Sequence, residues 1–437
     1  MHSAMHVAFC VLAASAAVIP ALAASDGRAH AHEKGERVAA PAHSERLVIQ
    51  GEPLQRLVDA APAGAVLRLA PGRHAGPVRI TRPLALTGEP GAVVVGSGNG
   101  SVIVVEAPGV RIENLEITGS GIDVPAMDSA ILLRQTAEHA LVSSNRLHGN
   151  LFGVYIHGAA GSRVENNIII GRDDLRLAEA GDGVSIWNAP GAAVVNNTIS
   201  QGRDGIFVKI SRANVFERNR FSNLRFAIHY MWTHDSRIVG NRSRDNHVAW
   251  AIMYSDRLEI RNNISEGDRD HGLMLNSANY SRVEANIVRG GGEKCTFVYN
   301  ANRNTLRDNW FEGCPIGIHL TAGSEGNVMS GNAFVNNRMQ VKYVGTRYVD
   351  WSHEGRGNYW SDNPAFDLDG DGIADRPYRP NDVMDVLLWK LPTAKALVSS
   401  PAVQLVRWAQ ARFPALYPGG VIDSAPLMQP AIVPPTT

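Results

Sequence analysis

Cysteine is scarce in this chain of 437 residues, which contains three. Cys10 falls in the apolar N-terminal stretch, which leaves Cys295 and Cys314 as the thiols of the remaining sequence. Such a pair in an exported protein favours a disulfide, and a soft metal site is the alternative. Cys314 lies out of register with Cys295 in the repeat described below, which lengthens the expected Cα separation and leaves the disulfide open.

Net charge is also absent, because 42 Lys and Arg residues balance 42 Asp and Glu residues. This balance gives no basis for a nucleic-acid or anionic-membrane partner, since both attract basic surfaces. The pattern G-x-x-x-x-G-K-[ST] does not occur, so the chain binds no nucleotide through that motif. The haem-attachment pattern C-x-x-C-H does not occur either.

Long apolar runs are confined to the N-terminus. Residues 1–23 form an uncharged apolar segment that ends in Ala21-Leu22-Ala23, which predicts a secretory signal cleaved before Ala24 and, in a bacterium, a periplasmic protein. No later segment has the roughly 18 apolar residues of a membrane span. Residues 24–45 are polar and Ala-rich, which predicts a flexible linker.

An asparagine recurs before an apolar residue through the middle of the chain. The spacing is 22 or 23 residues, with one insertion between the second and third members, at Asn145, Asn167, Asn197, Asn219, Asn241, Asn263, Asn286, Asn309 and Asn332. Each repeat also contains a short alternating segment such as GVYIH, GIFVK or GLMLN. Short strands at this period predict an all-β fold, a right-handed parallel β-helix in which the asparagines occupy turns or inward ladders.

The repeat divides the chain. Residues 46–110 are predicted to form an N-terminal cap and the first coils, with a short helix near Leu54 to Asp59, and residues 111–349 the repeats. Residues 350–437 form a C-terminal extension with an acidic loop and helices. Ser400 and Pro401 begin a predicted helix with an apolar stripe, which either packs on the solenoid end or docks on a partner.

Superposing the strand segments predicts an unusual outward surface. Ile228 and Tyr230 point inward, together with Tyr254, Phe297 and Tyr299 in later coils. The outward positions then form two columns of side chains, and neighbouring coils lie about 4.8 Å apart. This superposition brings together one imidazole and three thioethers, of His229, Met231, Met253 and Met274.

His and Met without a carboxylate suit a soft monovalent ion, so this cluster is predicted to bind Cu(I). The alternative is that a loop or a partner covers the face and the methionines only pack. A one-residue slip of the strands would also turn the cluster inward.

A second predicted metal site lies in the loop FDLDGDGIADRPY. Its carboxylates follow a D-x-D-x-D-G pattern, which supplies hard oxygen ligands for a structural Ca²⁺, at Asp367, Asp369, Asp371 and Asp375. Gly372 provides the turn.

Parallel β-helices often act on polysaccharides, which makes an enzyme the competing interpretation. Asp182 and Asp204 precede their strands at the same offset, and DRDHG adds Asp268, Asp270 and His271. Two stacked carboxylates would have the separation that a retaining glycosidase needs. Asp before Gly is, however, common turn chemistry.

Several segments together resemble the NosD family of periplasmic maturation proteins for the copper sites of nitrous oxide reductase. The resemblance extends from about residue 50 to 429 and is most specific over 315–362. The segments are AMDSA, FAIHYMW, GGGEKCTFVYN, GIHLTAGSEGNVMSGNAFVNN, QVKYV, GRGNYWSD and DLDGDGIADRPY.

The resemblance implies a β-helix that works with an ABC-transporter ATPase and permease, with a small copper chaperone lipoprotein as donor and apo nitrous oxide reductase as acceptor. Membrane contact would then occur only through the permease. We therefore expect a non-enzymatic protein that accepts and hands over copper. The alternatives are a carbohydrate lyase or hydrolase and a metal-free scaffold of the transporter complex.

Overall fold

Three parallel β-sheets build a solenoid in the computed structural model of this chain. The structure describes residues 44–345, 347–382, 384–385, 391, 393, 400–413 and 419–434. The predicted signal peptide and almost all of the predicted linker lie outside these ranges. Each coil adds one short strand to each sheet, and every strand pairs with the equivalent strand of the next coil, which confirms the predicted all-β parallel solenoid.

The strands are short, and most have three to six residues. The first sheet contains Glu45–Val48, Val66–Leu69, Ala85–Gly88, Arg111–Glu113, Leu141–Ser143, Arg163–Glu165, Ala193–Val195, Val215–Glu217, Arg237–Val239, Glu259–Arg261, Arg282–Glu284, Thr305–Arg307 and Val328–Ser330. The second sheet contains Gly72–Ala75, Ala92–Val95, Glu116–Thr118, Arg146–His148, Ile168–Ile170, Thr198–Ser200, Arg220–Ser222, Arg242–Arg244, Ile264–Glu266, Ile287–Arg289, Trp310–Glu312, Ala333–Val335 and Tyr359–Trp360. The third sheet contains Val78–Ile80, Ile103–Val105, Ser129–Leu133, Phe152–His157, Val184–Trp187, Asp204–Arg212, Phe226–His234, Val248–Met253, His271–Asn276, Lys294–Tyr299, Ile316–Thr321 and Val341–Val344.

The recurring asparagines form a continuous ladder inside the solenoid, which we call the Asn ladder. In one rung, the backbone N–H and the side-chain amide of Asn241 both donate to Oδ1 of Asn263, each over 3.0 Å. The same amide donates to the carbonyl of Phe216. Every rung satisfies buried backbone groups at a turn, which is why the asparagine recurs once per coil.

The Asn ladder extends one coil beyond the predicted series and ends on a carboxylate. Asn332 donates to Oδ1 of Asn358, and the backbone N–H of Asn358 donates to Oδ2 of Asp423 over 2.7 Å. Trp360 donates its indole N–H to the same oxygen. Asp423 belongs to a C-terminal segment whose strand Gly420–Ile422 pairs in parallel with Tyr348–Asp350. The stacked strands therefore continue to Tyr359–Trp360, past Val349.

The strand Val248–Met253 departs from the predicted superposition by two residues. Ile228 pairs with Trp250, and Tyr230 pairs with Ile252. Trp250 is fully buried in the core, and Tyr254 lies exposed in the turn that follows. The prediction that Tyr254 points inward was therefore wrong, because the large indole of Trp250 takes the interior position that a smaller apolar residue fills in other coils.

The strand Lys294–Tyr299 departs by one residue, which exchanges its two faces. Thr296 and Val298 are buried, whereas Phe297 and Tyr299 point outward. The prediction that Phe297 and Tyr299 point inward was wrong. A buried threonine in place of an aliphatic residue conceals the alternation of this strand in the sequence.

A disulfide joins Cys295 to Cys314, with a Cα separation of 5.6 Å. Both cysteines are buried. The bond connects the strand Lys294–Tyr299 to the segment that leads into the next strand, Ile316–Thr321. It therefore fixes two successive coils to each other near the C-terminal end of the solenoid.

Helices are few among the described residues. The N-terminal helix, Leu54–Ala60, buries Leu54 and Val58 against the first coils. The C-terminal helix, Pro401–Arg412, begins after Ser400, whose hydroxyl accepts the backbone N–H of Val403. In the described part of the chain, neither helix is long and apolar enough to cross a membrane.

Candidate functional site

The outward side chains of the third sheet form two columns along the solenoid, set by strand pairing. Column one is Tyr155, Ser185, Phe207, His229, Ala251, Met274, Phe297, His319 and Lys342. Column two is His157, Trp187, Lys209, Met231, Met253, Asn276 and Tyr299. Met253 therefore lies in column two, although the sequence superposition predicts it beside His229 in column one.

His229 occupies a shielded position in column one. Its side chain lies against the rings of Phe207 and Phe226, with centroids 4.8 and 5.0 Å away. Nδ1 lies 3.0 Å from Oδ2 of Asp204. Nε2 is inaccessible to solvent and has no hydrogen-bond partner. One ring nitrogen is therefore fixed by a carboxylate and the other is left without a partner.

The Asp204 carboxylate is ionised although it is completely buried. Burial would raise its pKa, but the hydrogen bonds from His229 and Arg225 outweigh burial and lower the pKa. Arg225 donates from Nε and Nη2 to both carboxylate oxygens, over 2.8 and 2.6 Å. Because an ionised carboxylate only accepts hydrogen bonds, the His229 ring donates to it from Nδ1, and its Nε2 has no hydrogen-bond partner.

An equivalent ion pair lies one coil earlier. Arg203 donates twice to the buried carboxylate of Asp182, each time over 3.1 Å. Burial and the neighbouring charge of Asp204 raise the pKa of Asp182, against the opposing effect of Arg203. Both carboxylates are thus buried, and each is held by a guanidinium group.

The predicted methionines lie near His229 in a different arrangement from the one expected. Met231 and Met253 are direct neighbours on adjacent strands of column two. Met274 belongs to column one, where Ala251 separates it from His229. All three methionine side chains are partly exposed, whereas His229 is 8% exposed. The structure therefore gathers two adjacent outward thioethers beside a shielded imidazole, with a third thioether two coils from His229.

Three exposed apolar residues, which we call the apolar edge, come directly after residues of column two in the sequence. Ile210, Trp232 and Tyr254 are all exposed and all adopt left-handed backbone conformations, with φ of 54, 49 and 50°. Trp232 stacks on Tyr254 at 5.4 Å. Such conformations are costly for large side chains and cluster at functional sites. Sequence reasoning missed this edge, although its residues directly follow Lys209, Met231 and Met253.

The acidic loop brings together three of its four predicted ligands. Carboxylate oxygens of Asp367, Asp369 and Asp375 lie within 4.8 Å of one another, and Asp371 is not part of this group. Asp367 accepts the backbone N–H groups of Gly370 and Gly372. The carboxylates therefore also stabilise the turn itself.

The two carboxylates of the DRDHG segment, Asp268 and Asp270, contact different parts of the structure. The buried carboxylate of Asp268 accepts the N–H of Asn246 and the hydroxyls of Ser243 and Ser265. Burial raises the pKa of Asp268 to about 6. Asp270 instead lies 3.4 Å from the ring of His247. Asp268 and Asp270 therefore have separate partners.

Comparison with known proteins identifies relatives over most of the chain. Residues 166–365 match the model of a family described as "Periplasmic copper-binding protein (NosD)". A "Probable ABC transporter binding protein NosD" of Stutzerimonas stutzeri is 39% identical over 376 residues, which is 83% of this chain and 86% of that protein. The protein of the same name from Pseudomonas aeruginosa is 39% identical over 393 residues, 87% of this chain and 92% of its own.

Solved structures with a similar fold include polysaccharide-modifying enzymes. The A-module of the Azotobacter vinelandii mannuronan C-5 epimerase AlgE6 matches with a TM-score of 0.56 at 12% identity, covering 70% of this chain and 92% of its own. A mannuronic acid specific family 6 lyase from human gut microbiota matches with a TM-score of 0.53 at 12% identity, covering 72% and 86%. At this identity the likeness extends to the fold and not to the chemistry.

Proposed function

Because this chain belongs to the NosD family, we propose that it accepts Cu(I) on the outer face of its third sheet and hands it over for assembly of the copper centres of nitrous oxide reductase. The observation that carries the proposal is the pairing of Met231 with Met253 on adjacent strands, in the column next to His229, whose Nε2 has no hydrogen-bond partner. We propose further that the chain is exported through cleavage of residues 1–23.

The chemistry of these side chains supports Cu(I) over other ions. Thioether and imidazole are uncharged, and thioether is a soft ligand that favours a soft monovalent cation over hard divalent ions. The Asp204 carboxylate accepts a hydrogen bond from Nδ1 of His229, the arrangement that orients metal-binding histidines in proteins. Arg225 neutralises that carboxylate, so little net charge remains beside the copper.

The gradient of exposure supports transfer rather than storage. Met231 and Met253 are partly exposed, and His229 is shielded. Copper arriving from a donor would meet the thioethers first and then exchange one of them for the imidazole. The same exchange in reverse would release the ion, with no change in oxidation state and no proton transferred.

The partners follow from family membership and from this chain's sequence. Its relatives are named as ABC transporter binding proteins. The sequence has no G-x-x-x-x-G-K-[ST] motif, so we assign ATP hydrolysis to a partner ATPase, which acts with a permease. We propose a copper chaperone lipoprotein as donor and apo nitrous oxide reductase as acceptor. In this scheme the chain itself is not an enzyme.

An anaerobic Cu(I) titration against a colorimetric chelator tests the proposal. We expect the mature protein to bind Cu(I) tightly, and Met231→Leu and Met253→Leu to bind at least tenfold more weakly with unchanged thermal unfolding. Met339→Leu, a partly exposed methionine outside the two columns, is the matched control. Wild-type protein that binds no Cu(I) would overturn the proposal and favour a metal-free scaffold.

A further inference from the structure

The position directly after column two has the same backbone conformation in six successive coils. It is left-handed in each of them, with φ between 46 and 54°, at Asn188, Ile210, Trp232, Tyr254, Ser277 and Asn300. After glycine, short polar residues tolerate this conformation best, whereas β-branched and bulky residues rarely adopt it. Three consecutive coils therefore have large side chains at a position where the coils on either side have small polar ones.

The three large side chains of the apolar edge are exposed. Ile210 is 48% exposed, and Trp232 and Tyr254 are each 44% exposed. Burial in the core therefore does not account for the backbone cost of these residues, and costly conformations of this kind cluster at functional sites. Trp232 and Tyr254 directly follow Met231 and Met253, the two thioethers of the proposed copper site. The costly residues thus occur on the coils that contain the thioethers.

The ring of Trp232 is contacted from both neighbouring coils. Tyr254 stacks on it at 5.4 Å, and the ammonium of Lys209 lies 5.6 Å from a ring centroid of Trp232. A sugar stacks on a free aromatic face, and here the neighbouring coils take the faces of the central ring. Exposed Trp and Tyr are instead typical of the residues that contribute most to protein–protein binding. The apolar edge therefore suits a protein partner that presents an apolar surface.

We propose that the apolar edge is the docking surface of the Cu(I) donor protein. The inference rests on the proposed function, in which a donor must bring its copper within bonding distance of Met231 and Met253. A specific protein interface covers about 800 Å² on each partner. Trp232 and Tyr254 are one residue away from the two methionines, so a donor that reaches the thioethers also covers the edge. The donor is favoured over the acceptor because the exposed thioethers are the ligands that incoming copper meets first.

Binding of the donor to edge variants tests the inference. The probe is the Cu(I)-loaded copper chaperone lipoprotein from the same organism, produced without its lipid anchor, and anaerobic calorimetry measures its affinity for the mature chain. We expect Trp232→Asn and Tyr254→Asn to bind the probe roughly tenfold more weakly than the wild type does. Asn300→Ser, at the same position two coils beyond Tyr254, is the matched control and should bind the probe like the wild type.

The unfolding temperature separates docking from a role in the fold. Asparagine suits the left-handed conformation, so Ile210→Asn should unfold at a higher temperature than the wild type, and Trp232→Asn and Tyr254→Asn at no lower temperature. Weaker donor binding by variants that are equally or more stable is the result expected of a docking surface. A lower unfolding temperature in all three variants would show that these residues serve the fold, and would overturn the inference.

The failure of this inference and the failure of the proposed function are distinguishable, because the Cu(I) titration contains no partner. If the wild type binds no Cu(I), the proposed function fails and this inference fails with it. If the wild type binds Cu(I) and the edge variants bind the donor as tightly as the wild type does, the docking surface is overturned and the copper function stands. Edge variants that lose binding only to apo nitrous oxide reductase would also overturn the inference, since the edge would then belong to the acceptor.

Discussion

Nδ1 of His229 lies 3.0 Å from Oδ2 of Asp204, a carboxylate one coil earlier that is entirely buried. The contact fixes the orientation of the imidazole before any ligand arrives. Arg225 donates to both oxygens of the same carboxylate, so the imidazole, the carboxylate and the guanidinium form one hydrogen-bonded unit.

This unit predicts the effect of Asp204→Asn. An amide can donate to Nδ1 and move the ring proton to Nε2, which removes the proposed copper ligand. We expect Cu(I) affinity to fall about 10- to 100-fold, as for other residues that orient metal-binding histidines. The competition titration measures this change. Asp235→Asn, an exposed partner of Arg257, is the control, and an unchanged affinity in Asp204→Asn would show that the contact does not serve copper binding.

Removing one rung of the Asn ladder should destabilise the whole solenoid. Asn263→Ala eliminates the acceptor for Asn241 and the donor to Asn286. We expect a loss of about 3 kcal/mol in the free energy of unfolding, because each buried polar group without a partner costs about 1–3 kcal/mol. Urea unfolding measures it. Asn262→Gly, next in sequence but exposed and left-handed, should change stability little.

Reduction of the Cys295–Cys314 bond should lower stability without moving the outer face. The bonded cysteines are 19 residues apart, and closing a loop of this size stabilises a fold by about 3 kcal/mol. We expect Cys295→Ala/Cys314→Ala to unfold at a lower temperature than the wild type. Reductant should lower the unfolding temperature of the wild type only, and an equal effect on both proteins would contradict a disulfide.

The pKa of Asp268 predicts a specific pH dependence. Burial raises it from its ordinary 3.8 to about 6, so the folded state favours the protonated acid. The contribution of this group to stability is full below pH 3.8 and is lost as the pH rises to about 6. Asp268→Asn has no such loss. Between pH 4 and pH 7 its free energy of unfolding should therefore rise, relative to that of the wild type, by up to about 3 kcal/mol. Denaturant unfolding at pH 4 and pH 7 measures this change, with Asp270→Asn as the control. If Asp268→Asn differs from the wild type by the same free energy of unfolding at both pH values, the prediction is wrong.

The acidic loop remains a predicted Ca²⁺ site. Binding to the folded state alone would add about 2.7 kcal/mol at a hundredfold excess over the Kd. We expect millimolar Ca²⁺ to raise the unfolding temperature of the wild type and to leave Asp367→Asn unchanged, as measured by calorimetry. Glu354→Gln, exposed and outside the loop, should respond like the wild type. An equal response in Asp367→Asn would exclude the loop as the site.

The fold could be predicted because the asparagine that recurs once per coil is visible directly in the sequence. One asparagine per coil must meet the next asparagine, so the spacing between them gives the coil length directly. The register of single strands was harder to predict, because Trp250 and Thr296 fill interior positions with residues unlike those of the other coils.

The site was predicted only in part for the same reason. His229 and Met231 lie in a strand whose alternation is clear. The role of Asp204 could not be predicted, since an Asp-Gly pair before a strand is ordinary turn chemistry.

The direction of the Asn ladder gives the solenoid an electrical polarity. Each side-chain amide donates toward the next coil, so the amide dipoles add along the axis as peptide dipoles do in a helix. The positive end of this line is at Asn358, where the carboxylate of Asp423 receives it. Residue 423 therefore does for the solenoid what an aspartate does at a helix N-terminus: it terminates a row of aligned dipoles with the acceptor oxygens of a carboxyl group.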